Sequence, residues 1–486
     1  MLFNSFTYLV FLPIVVALFW VVPFRFRTAL LLLASYIFYM SWKPEYGLLI
    51  AAMTAINYGM GLWIARAQAK RKMLFVVAIA ANLLLLGFFK YAYFVRDSLN
   101  WGLGFANQEL MPIPFQIILP LGISFFAFEF IHYLSDVYKG SAPVKSPWQF
   151  ALFASFFPTQ IAGPIKRYQD FMQQLEVKTK LTLSQFDEAL ELIIFGLVKK
   201  VIFADNLAIV VQTAYANPNQ FTCFDMWLAT YAFAFQVYFD FSGYTDIARG
   251  SAQLLGFKVP KNFDLPYMAE SITEYWRRWH ISLSTWLKDY LFIPLGGSRA
   301  GKWMTYRNIL ITFTLCGLWH GAATHYILFG TLHGILLVLH REWRHVVEKS
   351  KTLQTLTANK IFHVFAIFLT FHAVCLTEVI FRADNVPIGV GIIKKLLLID
   401  HMPELKFWQV TLPNVDQPGV YFFLPLILLS ILAGQIICTQ IRKNKDCIGG
   451  IMPFNRPLKV AYLTVAICLL IAFSPDITPK FIYFQF

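Results

Sequence analysis

The sequence predicts an all-α protein that crosses a membrane many times, and three observations carry that prediction. Of its 486 residues, 58% are hydrophobic and only 14% charged, where soluble domains run to about 25% charged. Apolar runs close to the roughly 20 residues that cross a bilayer as helix recur along the whole length rather than at one end. Lysine and arginine gather in a few short loops between those runs, as they do in cytoplasmic loops. With a mean hydropathy of +0.57, one polytopic domain over residues 1–486 is expected rather than a set of tethered modules.

Residues 1–146 read as the N-terminal spans. The first run, "FTYLVFLPIVVALFWVV", has neither a basic leader nor an A-x-A-like cleavage site, so it is expected to stay as a helix. The run "ARAQAKRKM", with Arg66, Lys70, Arg71 and Lys72, follows the third span and is expected in the cytoplasm. Counting back through "SWKPEY" and "PFRFR" puts the N-terminus outside. Onward, the basic "DVYKGSAPVK" falls inside, and the neutral stretch between Arg96 and Phe115 falls outside.

Between residues 147 and 340 the pattern breaks. The runs "FFPTQIAGPIKRY", "GLVKKVIFADN", "FDFSGYTDIARG" and "EYWRRWHISLSTWLKDYLFIPLGG" are interrupted by proline, glycine and charge. Irregular backbone at membrane depth is tolerated only where protein buries it or a wet cavity adjoins it, so this is the expected catalytic core. Residues 341–474 return to regular spans near 361–381, 418–438 and 459–474. A basic loop with Arg442, Lys443, Lys445, Arg456 and Lys459 would lie inside, which leaves the aromatic tail 475–486 on the external face.

Within the core, Tyr275, Trp276, Trp279, Leu283, Trp286 and Tyr290 recur at helical spacing, with Arg277, Arg278, Ser282, Lys288 and Asp289 on other faces. This predicts an amphipathic interfacial helix ended by Pro294 and the Gly296–Gly297 turn. Its basic groups suit either lipid headgroups or the phosphates of a soluble donor. His280 lies one turn from Arg277 and Ser284, which predicts polar flanks. The net charge of +14 is assigned to loops of this kind, not to nucleic-acid binding.

Several chemistries are excluded. The six cysteines show no C-x-x-C spacing and suggest neither disulfides nor a metal site. "GGSRAGKW" mimics G-x-x-x-x-G-K but has Trp303 where a P-loop needs Ser or Thr, and no strand precedes it. His320 and His325 are five apart and miss the geometry of H-E-x-x-H, and Ser242 has no G-x-S-x-G elbow.

His320 remains, in "LCGLWHGAATHY", an ionisable ring walled by Cys316, Gly317, Gly321, Ala322 and Ala323. Such residues face a bundle interior or cavity, and small neighbours let another chain or a ligand come close. An ordinary value near 6.5 suits a general base. His333, His340, His363 and His372 lack this setting and read as structural. Asp240 and Asp246 bracket "FSGYT", where Gly243 would turn the chain. Their carboxylates either hold a histidine or substrate hydroxyl, or close a broken helix. Glu378 is a further polar group inside an apolar run.

At these residues the sequence resembles the membrane-bound O-acyltransferase (MBOAT) family, in particular its bacterial branch of alginate O-acetylation membrane subunits. The resemblance runs from "MLFNSFTYLVFLPIV" through "FFPTQIAGPIKRY", "DFSGYTDIARG", "NFDLPY", "YWRRWHISLSTWLKDYLFIPLGGS" and "RNILITFTLCGLWHGA" to the closing "FIYFQF". It implies a bundle of roughly ten to twelve spans, with re-entrant and interfacial helices, around a central tunnel in a bacterial cytoplasmic membrane. It implies that His320 is the catalytic base and His280 a supporting residue. Small residues would leave room for an acyl group.

The same resemblance implies acetyl-CoA as a cytoplasmic donor substrate, with no bound cofactor, and an extracytoplasmic polysaccharide such as alginate, cellulose or peptidoglycan as acceptor. Asp240, Asp246 and Ser284 would be supporting polar groups, and Arg277, Arg278 and Trp319 would meet the donor. Tyr483 in the tail would carry the acyl group outward to a periplasmic SGNH-type acyltransferase partner. Two other readings stand beside it: D-alanyl transfer toward teichoic acid, and a transporter using Asp240, Asp246 and His320 as a proton path.

Overall fold

The computed structural model describes residues 1, 3–104, 113, 116–299, 301–397, 428–436, 456–474 and 481, and no strand occurs among them. The chain divides into two compact units. One comprises Met1–Ile193 with Tyr244–Lys261, the other Ile194–Gly243 with Asn262–Phe486.

The first unit holds α1 (Phe6–Val21), α2 (Phe24–Met40), α3 (Glu45–Arg66), α4 (Arg71–Gly104), α5 (Ile123–Tyr138), α6 (Pro147–Ser155), α7 (Tyr168–Glu176) and most of α8 (Leu183–Leu197). Over Glu45–Arg66 and Arg71–Leu103 the helices are long and apolar enough to cross a membrane. Their amides meet in reciprocal hydrogen bonds between Asn57 and Asn82, 3.1 and 2.7 Å long, which fixes the register of two otherwise featureless apolar faces. After α6 the chain is irregular as the sequence predicts, and every residue from Leu152 to Lys166 is buried. Protein therefore shields that backbone. Gly122 (φ +74°) lies against it, where a Cβ would come within 2.8 Å of the Gln160 carbonyl. Lys166 closes the segment by pairing with Glu129 at 2.6 Å.

In the second unit α8 passes through a π-helical turn, Val198–Ala204, into α9 (Asp205–Ala216). There follow α10 (Cys223–Leu254, its last turns belonging to the first unit), α11 (Ile272–Arg278), α12 (Ile281–Leu287), α13 (Lys302–His320), α14 (Thr324–Lys349), α15 (Lys351–Thr357), α16 (Lys360–Arg382) and α17 (Val386–Leu397). The described residues of this unit also include α18 over 428–436 and α19 (Arg456–Ala472). The span expected at 361–381 is α16, which is apolar enough to cross, and that at 459–474 corresponds to α19. The one expected at 418–438 lies largely outside the described residues.

Two local expectations are corrected. Gly243 does not turn the chain, because α10 runs unbroken through "DFSGYTD". A Cβ at Gly243 would sit 2.6 Å from the Gly196 carbonyl, so the glycine serves close backbone packing. Conversely, the amphipathic run from Tyr275 to Tyr290 is not one helix. It breaks at His280, whose φ of +41° is left-handed, and ends in a π-helical turn, Lys288–Phe292.

Candidate active site

The framework of the site is the hairpin of α13 and α14. Side chains are absent where the two backbones touch: a Cβ on Gly317 would strike the Tyr326 carbonyl, and one on Gly330 the Phe313 carbonyl. A Cβ on Gly321 would strike the Tyr326 ring. The small residues around His320 therefore admit α14, and the expectation that these glycines leave room for an acyl group is corrected.

His320 is the last residue of α13 and is 7% exposed. Its imidazole is walled by aromatic rings, with centroids 4.8 Å away at Trp319, 5.3 Å at Phe381 on α16 and 6.0 Å at Phe329 on α14. The Trp319 indole also neighbours a second histidine, with the His280 ring 6.3 Å away. The structure thus brings together the two histidines that the sequence singles out, 40 residues apart, around one indole.

His280 is fully buried. The polar flanks expected for it are not its surroundings: the break in the helix turns it toward Phe241 of α10 at 4.7 Å. Burial pushes its proton affinity down to about 3, so the ring is neutral at ordinary pH. The break is held by the preceding loop. Ile281 N donates to the Asn262 carbonyl at 2.9 Å, Ser282 N to Asn262 Oδ1 at 3.1 Å, and Asp264 N to the Arg278 carbonyl at 2.9 Å.

Asp240, one residue before Phe241, pairs with Lys200 at 2.6 Å, and Lys200 also meets Asp205 at 2.7 Å. All three are buried. This ion triad fixes the stretch of α10 that faces His280. Asp246 belongs to the first unit and pairs with Arg249 at 3.3 Å, one turn along. Phe481 of the expected tail is 3% exposed, with its ring 6.0 Å from Phe241. Tyr483 lies outside the described residues.

A cavity of about 810 Å³ opens beside α11, α12, α13 and α14, lined among others by Arg277, Ser284, Lys288, His340, Arg341 and Arg344. Thr312 is on its wall, and the eight residues from there to His320 climb about 12 Å at 1.5 Å each. Of the residues expected to meet a donor, Arg277 lines it, as does Ser284, expected as a supporting polar group. Arg278 does not: it is turned to Glu274 at 2.6 Å. Trp319 packs against both histidines instead. Sequence reading missed Arg341 and Arg344, and it placed His340 among structural residues; they enter through the packing of α14 against α11 and α13.

His333 has the structural setting expected of it. It accepts from Trp276 Nε1 at 3.2 Å on Nδ1, leaving Nε2 to donate to Thr377 Oγ1 at 2.9 Å. Phe241 and Asn262 were also missed. Only the short motifs "DFSG" and "NFDLPY" mark them.

The chain is similar to known proteins over most of its length. Residues 73–379 match the model of the MBOAT, membrane-bound O-acyltransferase family. A probable alginate O-acetylase AlgI of Pseudomonas syringae pv. tomato is 42% identical over 395 residues, covering 80% of this chain and 74% of that protein. The peptidoglycan O-acetyltransferase of Helicobacter pylori is 37% identical, over 76% and 73%. A teichoic acid D-alanyltransferase of Bacillus subtilis is 31% identical, over 55% and 70%.

Proposed function

The chain belongs to the membrane-bound O-acyltransferase family and is an O-acyltransferase of the membrane, and from that premise we propose that it takes acetyl from cytoplasmic acetyl-CoA for O-acetylation of an extracytoplasmic polysaccharide. The observation that carries this reading is the pair of buried histidines sharing the Trp319 indole at the end of α13.

In the proposed reaction His320 takes the proton of an acceptor hydroxyl as its oxygen attacks the thioester carbonyl. The tetrahedral intermediate collapses to the ester and expels the thiolate, which receives that proton from the imidazolium. His280, neutral because it is buried, supports the site without adding a charge that would oppose the imidazolium. The basic cavity suits the phosphates of the donor, and Arg277, Arg341 and Arg344 offer the forked donors that phosphate favours. We place the chain in the bacterial cytoplasmic membrane with both termini outside. Tyr483 would then receive the acetyl group and pass it to a periplasmic SGNH-type acyltransferase.

Radiolabelled acetyl-CoA given to the purified chain tests this. Wild type is expected to release CoA or retain label, and folded His320→Ala to do neither. If label is retained, Tyr483→Phe should abolish it. Equal turnover by His320→Ala would remove the histidine from the chemistry. D-alanyl transfer is the second reading, favoured by the Bacillus subtilis relative. It would show as label retained from a D-alanyl carrier-protein thioester and not from acetyl-CoA.

A further inference from the structure

A second basic cavity, in the first unit and unrelated to the histidines, lies where α1 turns into α2. It measures about 210 Å³ and is lined by Arg25, Arg27, Thr28, Gln149, Gln174 and Thr179, among others, with no carboxylate among its described lining residues. Arg27 is held rigidly. Its guanidinium lies 4.6 Å from the Phe19 ring centroid and 4.8 Å from that of Trp20, an arrangement that fixes the plane of the group and leaves its N–H edges free.

Among the described residues neither Arg25 nor Arg27 makes a hydrogen bond or ion pair, and Nε of Arg27 is buried without a partner. A buried donor without an acceptor costs free energy that a ligand can return. The first turn of α2 adds backbone amides that no side chain caps. Trp20 is itself anchored by donating to the Leu254 carbonyl at 2.9 Å, which keeps the aromatic wall in place.

We infer that this cavity binds a phosphate ester, held by Arg27 and Arg25, and that the ester is the headgroup of an anionic phospholipid. The stacked Arg27 and the neighbouring Arg25 around a small, carboxylate-free space select a compact anion. The position at the turn between two apolar helices puts that anion at headgroup depth.

Native mass spectrometry of the full-length chain in detergent tests the inference, with phosphatidylglycerol, diacylglycerol of the same chains, and inorganic phosphate as probes. Phosphatidylglycerol should be retained and diacylglycerol should not. R25Q/R27Q should weaken retention about tenfold or more, from the loss of charge-assisted hydrogen bonds. R27K keeps the charge without the fork and should fall between. K72Q, which removes an exposed charge elsewhere in the unit, should match wild type. Retention by R25Q/R27Q equal to wild type, or an equal loss in K72Q, overturns the site. Displacement of the lipid by inorganic phosphate at equal concentration keeps the phosphate site and overturns its lipid source.

Discussion

At His280, burial lowers the proton affinity of the ring from an ordinary 6.5 to about 3. The unfolded chain therefore takes up a proton below pH 6.5 that the folded chain refuses. This contribution is flat above pH 6.5 and erodes stability as pH falls toward 3, by up to about 1.4 kcal/mol for each pH unit. His280→Asn should flatten thermal unfolding midpoints across that window relative to wild type; parallel profiles would mean the ring protonates in place. Lys200 makes a sharper case. Lys200→Met leaves Asp205 and Asp240 buried together without their cation, and a loss of about 3–5 kcal/mol is expected. Asp240→Asn, which leaves Lys200 with Asp205, should cost less. Denaturant midpoints of the two variants decide the order. At this scale the histidines were legible because an ionisable ring in an apolar run is conspicuous. Lys200 was not, since nothing local says that Asp240, on a separate helix, will join Lys200 and Asp205.

Among the elements, the α13–α14 hairpin depends on backbone contact. Gly330→Val places a side chain against the Phe313 carbonyl, where no rotamer relieves the clash, so loss of both folded protein and acetyl transfer is expected. Gly334→Ala, whose Cβ would have 3.3 Å to Leu310, should be mild. Size-exclusion profiles and protease resistance separate the two. Hydropathy exposed the apolar spans and the irregular segment after α6, because proline, glycine and buried charge leave a local signature. It misjudged the run from Tyr275 to Tyr290, whose spacing is helical throughout. The break at His280 is imposed by Asn262 and Asp264, from a separate segment, and periodicity cannot register such hydrogen bonds.

For the molecule as a whole, the charge pattern makes a prediction that site chemistry does not. With the N-terminus outside, a cysteine at Gln68, beyond α3, should be shielded from an impermeant maleimide in intact cells, and one at Lys43, before it, should be labelled. The endogenous Cys223 and Cys468 are not fully buried, so a cysteine-free background is required. The reverse pattern would invert the route of the acyl group. Family and membrane character were legible from composition and motif order. The basic cavity was not, because Arg277 and Arg344 are 67 positions apart and only the packed helices bring them to one wall.

The left-handed backbone at His280 offers a way to read function without any substrate. Glycine, and to a lesser degree asparagine, occupy that conformation at lower cost than histidine. A mutant library screened only for heat resistance should therefore enrich glycine or asparagine at this position, while one selected for turnover should keep histidine. The divergence between the two enriched populations would measure how much stability the chain forgoes there for catalysis.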